Sequence, residues 1–269
     1  MIYTLTPNPA IDMNVTADSV EKNVVSRTRD AVYTPNGKGL NVSFTLQHFG
    51  IRAPILGFFG GFSGRYIIDG ARGRACEAHP VMVDGITRIN TFVTCGPDEY
   101  KFPSAGCAVP RGRQLEMLEL IDGLADLESL VVSGSLPPQI EPTFYDEVIH
   151  HVHARGAEVV LDTSHARLAE LVEKRPLLIK PNDEEVAAIF GVDAGTDEER
   201  ARAGIRKMEE FFTEIGMPTS LAGLGLGELT KGTIEEIASA ATLDDTIRLG
   251  DLRPLTRTDV IAIYDMANH

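Results

Sequence analysis

Cysteine is scarce in this 269-residue chain: Cys76, Cys95 and Cys107 stand apart, with no C-x-x-C pair. That set builds neither a disulfide framework nor a zinc knuckle, and a reducing cytoplasm fits it best. No apolar run approaches the ~20 residues of a membrane helix, so no membrane role is expected. The opening "MIYTLTPNPAID" has no basic stretch and turns at Pro7 and Pro9, unlike a signal peptide. Basic residues are outnumbered 25 to 39, for a net charge of −14. This argues against nucleic acid as a partner, because a phosphate backbone needs clustered Lys and Arg. An anionic metabolite remains open, provided a few cations and backbone N–H groups converge at one site. The rest is ordinary globular composition, 43% hydrophobic and 24% charged. The length suits one large α/β domain, or a medium domain with a small one.

The first 190 residues alternate. Apolar runs rich in β-formers fall at 2–6, 54–60, 129–135, 158–164 and 176–182, separated by helical patterns at 38–49, 64–74, 111–124, 142–155, 165–174 and 183–190. Strands without strict alternation, spaced by helices, predict a parallel sheet covered on both faces. Segments 12–34 and 87–102 break the rhythm and read as half-exposed antiparallel strands of a small second sheet. Beyond residue 196 the pattern is helical. "IRKMEEFFTEIG" places Ile205, Met208, Phe211, Phe212 and Ile215 on one face, with Gly216 and Pro218 as the stop. "TIEEIASAA" has a capping-box spacing from Thr233 to Glu236, and "TRTDVIAIYDMA" predicts a last amphipathic helix.

"PNGKGLNVS" (35–43) is the sharpest local signal, with glycines flanking Lys38 directly before a helix. That arrangement brings backbone N–H groups and one ammonium to a single anion. It is not a Walker A loop, and a plain turn before a helix is the alternative. "GFFGGFSG" (57–64) is a weaker example of the same kind. "TRIN" (87–90) sets Arg88 and Asn90 on one strand face, where the arginine could clamp a phosphate or simply face solvent. "KPNDEE" (180–185) puts Asn182 and Glu185 one turn apart, suited to hydrated Mg²⁺ or to ordinary capping. "HHVH" (150–153) reads as a solvated helix face, and "GLGLGE" (223–228) follows no strand and fails as a dinucleotide loop.

Taken in order, "TPNPAID", "NGKGLNVS", "GFFGGFSG", "TRIN", "VVSGSLPP", "VVLDTS" and "LIKPNDEE" resemble the phosphofructokinase-B branch of the ribokinase-like sugar kinases, over residues 1 to about 192. The similarity is greatest to the 1-phosphofructokinase and tagatose-6-phosphate kinase type. It implies an α/β fold, a three-layer α/β/α sheet with a β lid drawn from 12–34 and 87–102. It implies an ATP- and Mg²⁺-dependent kinase acting on a phosphosugar, with fructose 1-phosphate or tagatose 6-phosphate as acceptor, and a possible homodimer through the lid. By the same resemblance Asp12 holds sugar hydroxyls. Gly37, Lys38 and Asn41 line the sugar-phosphate pocket, Arg88, Asn90 and Arg27 meet its phosphate, and Ser133 and Ser135 lie near the floor. Lys180, Asn182 and Glu185 face ATP, with Glu185 toward the metal. Asn36 stands where the family usually has a second glycine.

The family's L-G-x-x-G strand end and G-A-G-D segment do not follow "LIKPNDEE", so the catalytic aspartate is unassigned and impaired transfer is expected. Residues 193–269 are instead similar to the C-terminal helical end of iron-containing alcohol dehydrogenases, without that family's metal histidines, and "FGVD" at 190–193 marks the seam. Asp244, Asp245 and Asp251 are the tail carboxylates that could serve as a base. The sequence therefore predicts a kinase-like domain at 1–192 with a helical segment at 193–269. The alternative is a catalytically inactive phosphosugar-binding or structural chimera.

Overall fold

The computed structural model describes residues 1–163, 167–182, 185–186, 198–225, 227–247, 249 and 254–268. The chain divides into two compact units, Met1–Gly191 and Val192–His269.

The first unit is built on a six-stranded parallel sheet. Its strands are β1 (Ile2–Thr6), β4 (Ile55–Gly60), β5 (Ala78–Val83), β8 (Ser129–Ser133), β9 (Glu158–Asp162) and β10 (Leu178–Ile179), in the order β10-β9-β8-β1-β4-β5. Between them run the helices α1 (Lys38–His48), α2 (Gly61–Gly73), α3 (Arg111–Asp122), α4 (Phe144–Ala154) and α5 (Leu168–Val172). β4 is buried along its whole length, which explains its unbroken apolar sequence "ILGFFG". Ile11, Leu40, Ile55, Phe59 and Ile67 form one core cluster. Each such side chain contributes about 1.5–3 kcal/mol of transfer free energy.

From β1 the sheet grows in one direction through β4 and β5, and in the other through β8, β9 and β10. The strand order therefore reverses between β1 and β8. In an open parallel sheet, that point is where ligands bind, outside the carboxyl ends of the strands.

The lid is a second sheet of β2 (Ala10–Ala17), β3 (Thr28–Asn36), β6 (Arg88–Cys95) and β7 (Asp98–Phe102), in the order β3-β2-β6-β7. The sequence predicts antiparallel lid strands, and β2–β3 and β6–β7 obey, but the central pair β2–β6 is parallel. The cause is topological. β2 follows β1, and β6 follows β5, each through a short link, so both leave the same end of a parallel sheet in the same direction. β5 is a strand the sequence reading passed over. "AHPVMV" contains Pro80, which is tolerated because β5 is the sheet's edge.

Among its described residues the second unit is helical: α6 (Glu198–Glu214), α7 (Lys231–Thr242) and α8 (Arg257–Ala267), with one isolated bridge between Leu249 and Leu255. α6 stops as expected, at Gly216 with φ +77°. Its predicted apolar face is only partly covered: Phe212 is 8% exposed, but Ile205 is 51% exposed. The start of α7 also differs, because Thr230, not Thr233, is the N-cap and accepts from the Thr233 N–H. α8 begins with a complete capping box between Thr256 and Asp259. The expected seam at 190–193, Asp251 and most of the helix expected over 183–190 lie outside the described residues.

Candidate active site

Parallel pairing of β2 with β6 sets Asp12 opposite Asn90. Asn90 Nδ2 donates to Asp12 Oδ1 at 2.9 Å, while Asn36 Nδ2 donates to Asp12 Oδ2. Asn41, in the first turn of α1, donates to Asn36 Oδ1 at 2.7 Å. Four of the polar residues drawn from "TPNPAID", "NGKGLNVS" and "TRIN" therefore form one network spanning two lid strands, the end of a third and a core helix. Asn90 is 8% exposed, and its other amide atom, Oδ1, accepts from Ser104 N at 3.2 Å. With both ends of its amide engaged, Asn90 orients Asp12 and the 103–106 segment.

α1 begins against the end of β1. A Cβ on Gly39 would lie 2.4 Å from Thr6 Oγ1, and one on Gly37 (φ +157°) 2.7 Å from Thr6 Cγ2. Only glycine permits this approach, and it carries the unpaired N–H groups of the first helical turn to the sheet's carboxyl edge. Thr6, Ser133 and Asp162 are the last residues of the neighbouring strands β1, β8 and β9, and so share that edge. Lys38 Nζ lies 3.2 Å and Lys180 Nζ 3.0 Å from the same oxygen, Asp162 Oδ1. Thr6 Oγ1 and Ser133 Oγ are buried and find no hydrogen-bond partner among the described residues. Two orphaned hydroxyls beneath a helix start fit a site completed by a bound polar group or water.

Arg88 is half-buried. Its Nη2 donates to Asn8 O at 2.9 Å and its Nη1 to Ser104 O at 3.3 Å, and its buried Nε has no partner among the described residues. Burial pushes the guanidinium below the ordinary arginine value, and the Asp12 carboxylate opposes that shift. Arg88 remains a cation and lines an open cleft of about 560 Å³ together with Asn8, Ser104 and Ser135. "GFFGGFSG" braces this arginine. Gly60 N donates to Thr87 Oγ1 at 2.8 Å, and Ser63 Oγ to Thr87 O at 2.7 Å.

Some expected residues fall elsewhere. Arg27 is exposed ahead of β3 and makes no ion pair with a described residue. Ser135 sits exposed on the cleft rim, while Ser133 is the buried one. Asn182 and Glu185 cap one another: Glu185 N donates to Asn182 Oδ1 at 2.8 Å, and Asn182 N to Glu185 Oε2 at 2.9 Å. Glu185 Oε1 finds no hydrogen-bond partner among the described residues, which fits a carboxylate oxygen kept for hydrated Mg²⁺. His151 of "HHVH" pairs with Asp122 at 2.9 Å, and no His/Cys/Asp/Glu metal cluster exists among the described residues. Sequence reasoning missed Asn8, Ser104 and Asp162. Asp162 carried a signal, as an acid ending a buried apolar strand in "VVLDTS".

An open parallel sheet with its polar site at the switch point, beside a second strand sheet, defines an α/β protein built to bind a small polar ligand. Residues 8–214 match the family described as pfkB family carbohydrate kinase. The chain is 41% identical over 211 residues to a D-tagatose-1-phosphate kinase of Klebsiella oxytoca, covering 78% of this chain and 69% of that protein. It is 32% identical over 273 residues to a 1-phosphofructokinase of Bacillus subtilis, covering 93% and 90%. Phosphofructokinase-2 from Escherichia coli, solved with potassium, has the same fold, with a TM-score of 0.77 at 20% identity over 100% of this chain and 99% of that one. The chain belongs to the pfkB family of carbohydrate kinases. The family match runs past residue 192, to residue 214.

Proposed function

We propose that this chain binds a ketohexose 1-phosphate and phosphorylates it from ATP with Mg²⁺. The observation that carries the reading is the Asp12 carboxylate, held by Asn36 and Asn90 near the Arg88 guanidinium, with the Lys38 ammonium on Asp162 at the sheet's carboxyl edge. A carboxylate of this kind accepts sugar hydroxyls, and the cations take a phosphate. The names of the relatives, D-tagatose-1-phosphate kinase and 1-phosphofructokinase, favour D-tagatose 1-phosphate or D-fructose 1-phosphate. Tagatose 6-phosphate is the next acceptor to try. When bound, ATP supplies the phosphoryl group and Mg²⁺ neutralises its charge; Lys180, Asn182 and Glu185 are the residues that would hold them.

Binding and transfer are expected to come apart. No G-A-G-D segment occurs in the chain, so no carboxylate is assigned to take the acceptor's proton. Asp162 is already engaged by two ammonium groups. A general base contributes about 10²–10⁴-fold, so turnover should fall well below the ~1–100 per second of ordinary kinases. A catalytically silent phosphosugar-binding protein is the second reading, favoured by that same absence. The helical 193–269 segment then serves packing and not chemistry. A coupled ADP-release assay with a phosphosugar panel tests these readings. Slow release that depends on a ketohexose 1-phosphate supports the kinase, and its absence despite binding supports the silent protein.

The lid also suits self-association. Val25 is 88%, Val32 54% and Phe102 55% exposed on its strands and connections, an apolar surface fit for a second copy's lid. Light scattering of the wild type and of Val32→Lys tests this: a dimer converted to monomer supports it, and a wild-type monomer at ~100 µM contradicts it.

A further inference from the structure

We infer that Asn36 is a specificity-determining positioning residue: its amide fixes how the Asp12 carboxylate faces the acceptor, and so discriminates between ketohexose 1-phosphates that differ at C4. The inference rests on the sugar-phosphate reading above.

Asn36 is the last residue of β3 and precedes Gly37, the residue before α1. It therefore stands where lid joins core. In the β2–β3 pairing, Asn36 lies opposite Ala10 and Thr34 opposite Asp12, which puts Asn36 and Asp12 on one face of the lid. The amide is engaged at both ends. Nδ2 donates to Asp12 Oδ2, and Oδ1 accepts from Gly37 N and Asn41 Nδ2, each at 2.7 Å. Asn90 holds the other oxygen of Asp12 at 2.9 Å. With a donor on each oxygen, the carboxylate cannot rotate without breaking a bond. Its remaining lone pairs point in fixed directions. D-tagatose and D-fructose 1-phosphates carry the same groups and differ in the configuration of one hydroxyl. A carboxylate of fixed orientation can tell them apart, whereas one free to turn would follow either hydroxyl. Asn36 also occupies the Asn41 amide, which would otherwise be a second adaptable donor.

The roles of Asn36 separate by substitution. Asn36→Gly removes the whole side chain. Asn36→Asp keeps an oxygen for Gly37 N and Asn41 but replaces the donor to Asp12 with an acceptor, so it retains the helix-start role and loses the positioning role. Wild type and both variants are compared by kcat/KM for the two sugar phosphates, with calorimetric Kd values alongside and thermal melts to confirm folding. The expected result is that the selectivity ratio collapses about tenfold in both variants, through KM and not kcat. An unchanged ratio in either variant overturns the inference, and recovery in Asn36→Asp assigns the residue to the helix start alone. If the wild type binds both sugar phosphates with no preference, the inference falls and the kinase reading stands. If the wild type binds neither, both fall together.

Discussion

Lys38 and Asp162, 124 residues apart in sequence, meet with Nζ 3.2 Å from Oδ1 at the carboxyl edge of the sheet. Asp162 is the more buried partner, with its side chain 14% exposed against 47% for Lys38, and it also holds Lys180. A carboxylate here competes with an incoming phosphate for the same ammonium groups. Asp162→Asn should therefore tighten sugar-phosphate binding severalfold. The pairs are partly solvated, so the stability cost should stay near ~1 kcal/mol. Calorimetry with a matched denaturant melt checks both halves; weaker binding would mean that Asp162 positions the lysines more than it competes with the ligand.

Arg88→Ala removes the cation that lines the cleft and is expected to weaken sugar-phosphate binding by about 1.5–3 kcal/mol. Arg88→Lys keeps a charge but cannot reproduce both donations, to Asn8 O and Ser104 O, so it should recover only part of the affinity. Equal affinity in wild type and Arg88→Ala would remove Arg88 from the site.

Gly39→Ala drives a methyl to 2.4 Å from Thr6 Oγ1 and 3.2 Å from Leu5 O. Overpacking of this kind costs about 1–3 kcal/mol, and it should displace the start of α1 and lower sugar-phosphate affinity. Adding Thr6→Ala relieves the nearer contact but not the backbone one, so partial recovery of melting temperature is expected. Full tolerance of Gly39→Ala would mean that the approach of α1 to β1 is looser than described.

Burial raises the pKa values of the Cys107 and Cys76 thiols; for Cys76 the nearby Arg74 charge offsets part of the rise. A raised pKa leaves less thiolate at pH 8, so both should react with iodoacetamide more slowly than half-exposed Cys95, with rates still climbing above pH 9. Peptide mapping after timed alkylation reads this directly. Cys107 labelled first would contradict it.

The parts of the fold carried by local chemistry were readable in the sequence. β1, β4 and β8 announced themselves as short apolar runs, and α1 through its glycines and Lys38. β5 was not readable, because Pro80 mimics a loop and only its edge position permits it. The parallel β2–β6 pairing was hidden as well, since it follows from where β1 and β5 end. In the site, Asp12, Lys38, Arg88 and Asn90 stood in motifs. Asp162 and Asn8 owe their roles to contacts across 124 and 80 residues, which no local pattern encodes. Asn36 was visible only as a departure from glycine; its three hydrogen bonds required the fold.

The most direct test is a calorimetric titration of D-tagatose 1-phosphate and D-fructose 1-phosphate into the wild type and Asp12→Ala. The wild type is expected to bind at least one of them with a Kd of roughly 1 µM to 1 mM, on the scale of ordinary enzyme KM values, and Asp12→Ala to lose most of that affinity while still folding. Absence of binding by the wild type, or equal binding by Asp12→Ala, would contradict the sugar-phosphate reading.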